Sequence, residues 1–248
     1  MKKLLLGNEA IARGAYEAGV RVSSAYPGTP STEINENVAT YPEIYSEWAP
    51  NEKVAVEVAL GAAVSGARSL ACMKHVGLNV AADPFFTATY TGVNAGMVVV
   101  VADDPGMHSS QNEQDTRMLA RASHAPVLDP SNSQECKDFL KLAYEISEKY
   151  DTPVILRVTT RIAHARTLVE LDERVEVPLR EYKRDIKKYV SMPANMIARH
   201  LYVEEREKKL AEDANTLPIN RIEWADRKIG VITSGAAYNY VKEAMPTA

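Results

Sequence analysis

Short apolar runs alternate with longer segments of mixed polarity along the first two thirds of the chain. Val20 to Tyr26, Ile44 to Trp48, Ser69 to Met73, Met97 to Ala102, Pro126 to Leu128 and Pro153 to Thr159 read as strands. The run Met97-Val-Val-Val-Val-Ala is unbroken, as expected of a parallel strand covered on both faces. Between these runs the pattern predicts helices over Asn8 to Ala18, from Ser31, over Asn51 to Gly66, Val80 to Tyr90, Glu113 to Arg121 and Ser133 to Tyr150. Asn8 and Asn51 are read as N-caps, and Gly19 closes the first helix. Repeated strand–helix alternation predicts an α/β fold, with a parallel sheet and helices on both faces.

Charge density then divides the chain. Residues 170–228 carry 13 acidic and 13 basic side chains, the mixed-sign pattern of solvated helices, punctuated by Pro178, Pro193 and Pro218. They read as a charged, partly helical connector behind an α/β domain at 1–169. Lys228-Ile-Gly-Val-Ile-Thr-Ser-Gly has a strand-and-turn pattern, and Ala236 to Ala244 a helical one. Residues 229–248 therefore read as the beginning of a second α/β unit, and the chain as the N-terminal part of a longer subunit.

Composition narrows the function classes. The 248 residues have a formal charge of −4, which provides no electrostatic footprint for nucleic acid or an anionic membrane. Met97 to Ala102 is too short to span a bilayer, and Met1-Lys-Lys-Leu-Leu-Leu-Gly lacks the apolar length of an export signal, so a cytoplasmic location is expected. Cys72 and Cys136 are too few for a disulfide framework or a cysteine-ligated cluster. The five histidines are isolated, so no metal site is expected, and dinucleotide, P-loop and nucleophile-elbow motifs are all missing.

Ligands of open α/β sheets bind beyond the carboxyl ends of the strands. Four segments fall there: Tyr26-Pro-Gly-Thr-Pro-Ser-Thr, Lys74-His-Val-Gly-Leu-Asn, Asp103 to Asp115 and Thr159-Thr-Arg-Ile-Ala-His. Each has a bland explanation as turn or cap; together they favour a binding rim. Two carboxylates share the helix from Asn51. Glu52 in its first turn is explained by the helix dipole alone, and Glu57 reads as a peripheral carboxylate on another face.

The motifs Ala25-Tyr-Pro-Gly-Thr-Pro-Ser-Thr-Glu-Ile, Asn51-Glu-Lys-Val-Ala, Gly61-Ala-Ala-Val-Ser-Gly-Ala-Arg, Met73-Lys-His-Val-Gly-Leu-Asn and His108-Ser-Ser-Gln-Asn-Glu-Gln-Asp resemble one family. It is the 2-oxoacid:ferredoxin oxidoreductases, and within it the alpha subunits acting on indolepyruvate. The resemblance runs from Leu6 to the end. It implies a thiamine diphosphate pyrimidine-binding domain and oxidative decarboxylation of an aryl 2-oxoacid to its acyl-CoA, with ferredoxin as electron acceptor. Glu52, nine residues before Gly61, is implied as the catalytic carboxylate. It would hold the proton at the aminopyrimidine ring nitrogen, which favours the imino tautomer that activates the thiazolium carbon. Thr29 matches the threonine that meets the 2-oxoacid carboxylate, with Tyr26 and Pro27 beside the cofactor. Lys74, His75 and Asn79 match a second cofactor-side segment, and His108 lies in a segment near the substrate. Arg161, taken from its place at the rim, is a cationic partner for a substrate carboxylate.

One departure bears on all of this. The Gly-Asp-Gly that would bind Mg²⁺ and the cofactor diphosphate does not occur, nor does a cysteine-rich tail for [4Fe–4S] clusters. The resemblance thus implies half a cofactor site in this chain. The metal ligands and clusters would lie elsewhere in the full-length subunit or its partner. The implied partners are a beta subunit, ferredoxin, coenzyme A and the 2-oxoacid, in an oligomer. Two other readings remain: the same reaction on a different 2-oxoacid, and a non-catalytic assembly module.

Overall fold

In the computed structural model, which describes residues 1–226 and 228–247, the Val-rich run forms β5 (Met97–Asp103) at the heart of a six-stranded sheet. Its companions are β2 (Val22–Ala25), β3 (Tyr45–Trp48), β4 (Ser69–Lys74), β6 (Val127–Leu128) and β7 (Val154–Thr159), in the order β3-β2-β4-β5-β7-β6. Every pairing is parallel. The register brings three central strands to one level at their carboxyl ends: Lys74 lies beside Ala102, Ala102 beside Val158, and Asp103 beside Thr159.

Both faces are covered, which is why β5 is apolar throughout. Val98, Val100 and Ala102 point into a core shared with α1 (Gly7–Glu17) and α7 (Ser133–Tyr150). Met97, Val99 and Val101 point into an opposite core with α3 (Glu52–Val64), α5 (Ala82–Thr91) and Ala120 of α6 (Thr116–Ala122). Remaining short helices are α2 (Thr32–Val38), α4 (His75–Val80) and α8 (Thr160–His164). The parallel α/β fold expected from the alternation is thus present.

Several local expectations are corrected. Asn8 is not an N-cap: α1 starts one residue earlier, and Asn8 Nδ2 donates instead to the Pro30 carbonyl (2.8 Å) and to Glu33 (3.0 Å). The Glu9 carboxylate takes the N-terminal role, accepting from the Leu6 N–H at 2.7 Å. Gly7 is needed there, because a Cβ would lie 2.1 Å from the Ile162 carbonyl oxygen. The segment from Lys74 to Asn79 is not a loop, since helix begins directly at His75 as α4 and continues after a break as α5. A further two-stranded antiparallel sheet joins β1 (Lys2–Leu6) to β8 (Arg166–Glu170), ends of the domain that sequence patterning treats separately.

The following segment runs along the outside of this core through α9 (Ile186–Tyr189) and α10 (Pro193–Ala214). Most of its side chains are exposed, but Val203 and Arg206 are buried. Arg206 donates to the carbonyls of Thr89 (2.9 Å) and Asp151 (3.1 Å), and burial lowers its pKa to about 10. The expected strand at 229–232 does not form among the described residues: Ile229 and Ile232 are exposed, and no neighbouring strand offers a ladder. The expected helix is present as α11 (Ala236–Ala244).

Candidate functional site

The chain runs from β2 outward to edge strand β3 and then back across to β4. That reversal opens a crevice between the carboxyl ends of β2 and β4, the place where open α/β sheets bind ligands. Three elements meet in it. The loop after β2 carries Tyr26, Pro27 and Thr29, all exposed. The N-terminus of α3 is fixed by the Asn51 side chain, which accepts from the Val54 N–H at 3.0 Å. The third element is α4, continuing β4 without a loop.

Glycines set the closeness of these elements. A Cβ on Gly77 would lie 2.6 Å from Glu52 Cγ and 2.7 Å from its Oε1, so the carboxylate lies directly against the α4 backbone. A Cβ on Gly28 would meet the Lys74 stem at 2.9 Å, so the β2 loop lies on that lysine. Glu52 is only 8% exposed, yet its carboxylate has no hydrogen-bond or ion-pair partner among the described residues. Its oxygens keep some solvent contact at the crevice, beside the positive end of the α3 dipole. Lys74 and His75 are buried and turned toward the loop after β5. Lys74 Nζ donates to the Ser109 carbonyl at 2.8 Å, and His75 Nε2 lies 3.0 Å from the Asn112 carbonyl. His75 Nδ1 has no partner.

The loop after β5 is held from below as well. Burial pushes the Asp104 carboxyl up. Hydrogen bonds from the Ser109 N–H (2.7 Å), the hydroxyls of Ser110 (2.7 Å) and Thr160 (2.8 Å), and the His108 N–H outweigh it and bring the pKa down to about 2. Asp103 accepts from Thr116 and, at 2.7 Å, from Arg157, which also pairs with Asp129 at 3.2 Å. Sequence patterning places Asp103 and Asp104 in a rim segment without giving either a role, and does not single out Arg157. A signal existed in Arg157, a charge inside the apolar run Val154 to Thr159.

Of the expected site residues, Glu52, Lys74, His75 and the Tyr26–Pro27–Thr29 loop are therefore gathered at the β2/β4 crevice. Asn79 is exposed near the far end of α4. His108 and Arg161 stand apart from Glu52, lining a separate cleft above β5 and β7. Glu57 is exposed on α3, one and a half turns beyond Glu52. Among the described residues no cluster of three or more His, Cys, Asp or Glu could hold a metal ion, and no helix is long and apolar enough to cross a membrane.

Comparison with known proteins adds a family frame. Residues 13–220 match the family described as pyruvate flavodoxin/ferredoxin oxidoreductase, thiamine diphosphate-binding. The chain is 50% identical to indolepyruvate oxidoreductase subunit IorA of Pyrococcus horikoshii, over 98% of this chain and 39% of that protein. It is 49% identical to the protein of the same name from Methanothermobacter marburgensis, over 98% of this chain and 40% of that one. The chain thus spans about two fifths of the length of these curated relatives. Among solved structures, the 2-oxoglutarate:ferredoxin oxidoreductase of Magnetococcus marinus, with 2-oxoglutarate, coenzyme A and succinyl-CoA bound, superposes with a TM-score of 0.79 at 21% identity. It covers 99% of this chain and 51% of that one, a likeness of fold.

Proposed function

The chain belongs to the thiamine diphosphate-binding family of pyruvate flavodoxin/ferredoxin oxidoreductases, and from that premise we propose that it supplies the aminopyrimidine half of a cofactor site for oxidative decarboxylation of an aryl 2-oxoacid such as indolepyruvate. The observation that carries this reading is the partnerless, nearly buried Glu52 carboxylate in the β2/β4 crevice. It fits an aminopyrimidine, whose ring nitrogen would share a proton with such a carboxyl group and donate it back in the imino form. When bound, thiamine diphosphate supplies a nucleophilic carbon and an electron sink for loss of CO₂.

The chain's own groups have defined tasks. Glu52 holds a proton at the ring nitrogen, and the packing of Gly77 against it keeps its carboxylate in one position. Lys74 and His75 fasten the loop after β5 over the rim and exclude water. Thr29, with Tyr26 and Pro27, presents a hydroxyl and backbone at the crevice mouth, a seat for the 2-oxoacid carboxylate. His108 and Arg161 line the neighbouring cleft for an anionic part of a substrate. Mg²⁺, [4Fe–4S] clusters and the beta subunit belong to the rest of the assembly, with ferredoxin as acceptor and coenzyme A as acyl acceptor. Residues 170–228 serve as the connector, and 229–248 open a second α/β unit.

A second reading gives the ring-nitrogen role to Glu57. The nine-residue interval between Glu52 and Gly61 recurs between Glu57 and Gly66. Glu57 also lies on an open stretch of α3, where a Cβ on nearby Gly61 would meet nothing within 4 Å. A neighbouring subunit or domain laid on that stretch would enclose Glu57.

The reaction is tested with the full-length subunit and its partner, by viologen reduction with indolepyruvate, pyruvate and 2-oxoglutarate in turn. Indolepyruvate-dependent reduction that requires thiamine diphosphate is expected, with none from the 248-residue chain alone. Turnover by the chain alone, or turnover indifferent to thiamine diphosphate, would overturn the proposal.

A further inference from the structure

Helices that alternate with parallel strands end at the amino edge of the sheet, on the side away from the candidate site. Their last carbonyls lack intrahelical partners there, and their dipoles point a negative end outward. The segment after β8 crosses this edge and lays a basic residue against the end of each long helix in turn. Arg174 donates to the carbonyls of Tyr16 (2.7 Å) and Val20 (3.0 Å) at the end of α1. The Arg180 N–H donates to the Gly66 carbonyl just past α3 (3.0 Å), and its guanidinium reaches the Asn94 carbonyl at 2.6 Å and Glu148 at 2.7 Å. Arg199 donates to the Tyr90 carbonyl of α5 at 2.6 Å. Arg206 donates to the Thr89 carbonyl of α5 and to the Asp151 carbonyl at the end of α7.

Two halves of this segment are held differently. In residues 172–180 the anchoring groups are satisfied: Asp172 pairs with Lys137 and Lys141, both at 2.8 Å. The backbone at Arg180 lies directly on Gly66, where a Cβ would come within 1.9 Å of the Arg180 carbonyl oxygen. Tyr182, Lys183 and Arg184 follow, exposed and without a hydrogen bond or ion pair among the described residues. Beyond them, α9 and α10 depend on one residue. The Asp151 carboxylate takes Lys188 at 2.8 Å, Arg199 at 3.1 Å and the Val93 N–H at 2.8 Å, and its carbonyl takes Arg206 at 3.1 Å. Three cations thus gather on one acidic residue. Arg206 is nearly buried, yet its Nε and Nη2 have no partner, and buried donors left unspent are costly. The other side-chain ties of α10 to the domain, His200 to Tyr90, Glu207 to His124 and Asp213 to Lys149 and Tyr150, lie toward the surface.

We propose that α9 and α10 form a latch that opens as one unit about a hinge at residues 182–184, with Asp151 as its catch, while residues 172–180 stay in place. Opening lifts Val203 and Arg206 away from α5 and leaves the six-stranded sheet intact. It lies below global unfolding, because the latch is held by shared charge and spares two buried donors, whereas the sheet is held by an apolar core on both faces. The residues after α10 then shift relative to the α/β domain, as in hinge motions set by a few loop positions. None of this depends on which carboxylate of α3 serves the ring nitrogen.

Hydrogen exchange tests the latch, followed by mass spectrometry in the full-length subunit with its partner. Amides of 193–206 are expected to exchange faster than those of β5 and β7. Asp151→Asn keeps the left-handed turn at φ +53° and an acceptor for the Val93 N–H, but removes the charge. It should speed exchange over 186–206 about tenfold, the effect of losing one charge-assisted contact, and leave β5 and β7 unchanged. Arg199→Gln, which alters the latch side alone, should do the same by a smaller factor. Arg174→Gln, in the half that stays in place, should leave 186–206 unchanged. Exchange in α10 that accelerates only together with β5 and β7, or in neither latch variant, would overturn the proposal.

Discussion

At the carboxyl ends of β2 and β4, Glu52, Lys74 and His75 are buried, Glu52 and the Lys74 stem lie against glycine backbone, and the Glu52 carboxylate has no partner among the described residues. At the ends of β5 and β7 the buried charges are paired, in the Asp103–Arg157–Asp129 and Asp104–Thr160 networks, with the Thr159 hydroxyl left unpartnered, and Arg161 and His108 line a cleft above them. The first half places one group with little freedom to move. The second builds a paired floor beneath the cleft that Arg161 and His108 line. Both rest on the same level edge of one parallel sheet, so the difference arises from side chains and not from topology.

The contrast can be broken from either side. The largest stability effect is expected in the floor: Asp103→Ala removes the closest partner of buried Arg157, leaving Asp129 at 3.2 Å and Asp115 at 3.9 Å, and should cost about 3 kcal/mol in denaturant unfolding. The same change should also loosen the cleft over β5 and β7.

Asp104 comes next. Its pKa of about 2 lies below the ordinary carboxylate value, so its contribution is full above the unfolded pKa and is lost as pH falls from about 5 toward 2. That contribution is about 2 kcal/mol. Unfolding midpoints of Asp104→Asn should therefore fall less steeply over that window than those of the wild type.

The smallest effect on stability is expected on the other side. Gly77→Ala forces the Glu52 side chain to turn away from a Cβ that would meet it at 2.6 Å. It should cost about 1–2 kcal/mol, yet reduce turnover of the complete enzyme more than Asp103→Ala does per unit of stability lost. Equal proportions in the two variants would erase the distinction between the halves.

Much of this was legible in the sequence, for physical reasons. The buried parallel strand at β5, the Asn51 cap and the long helix Ser133–Tyr150 follow from local pattern, and local pattern suffices for them. The β1–β8 pair was not legible, because its partners lie at opposite ends of the domain and each strand is short. The helix α4 was hidden because it follows β4 directly, without a capping residue. The apolar pattern at 229–232 promised a strand, but a strand needs a ladder. At the site, Lys74 and His75 were identified from the segment they occupy. Their clasp on Ser109 and Asn112 depends on backbone carbonyls, which no residue type announces. Arg157 was readable as a charge among apolar neighbours, whereas its partners Asp103, at the end of β5, and Asp129, just after β6, emerge only once the strands are aligned.

The most direct measurement compares the two carboxylates of α3. Glu52→Gln and Glu57→Gln are made in the complete enzyme, and indolepyruvate-dependent viologen reduction is recorded alongside thermal midpoints. Glu52→Gln should retain the fold and lose turnover by ~10²–10⁴-fold, the usual cost of removing such proton chemistry, while Glu57→Gln keeps most of its rate. An inactive Glu57→Gln beside an active Glu52→Gln would contradict the assignment and move the ring-nitrogen contact to the open face of α3.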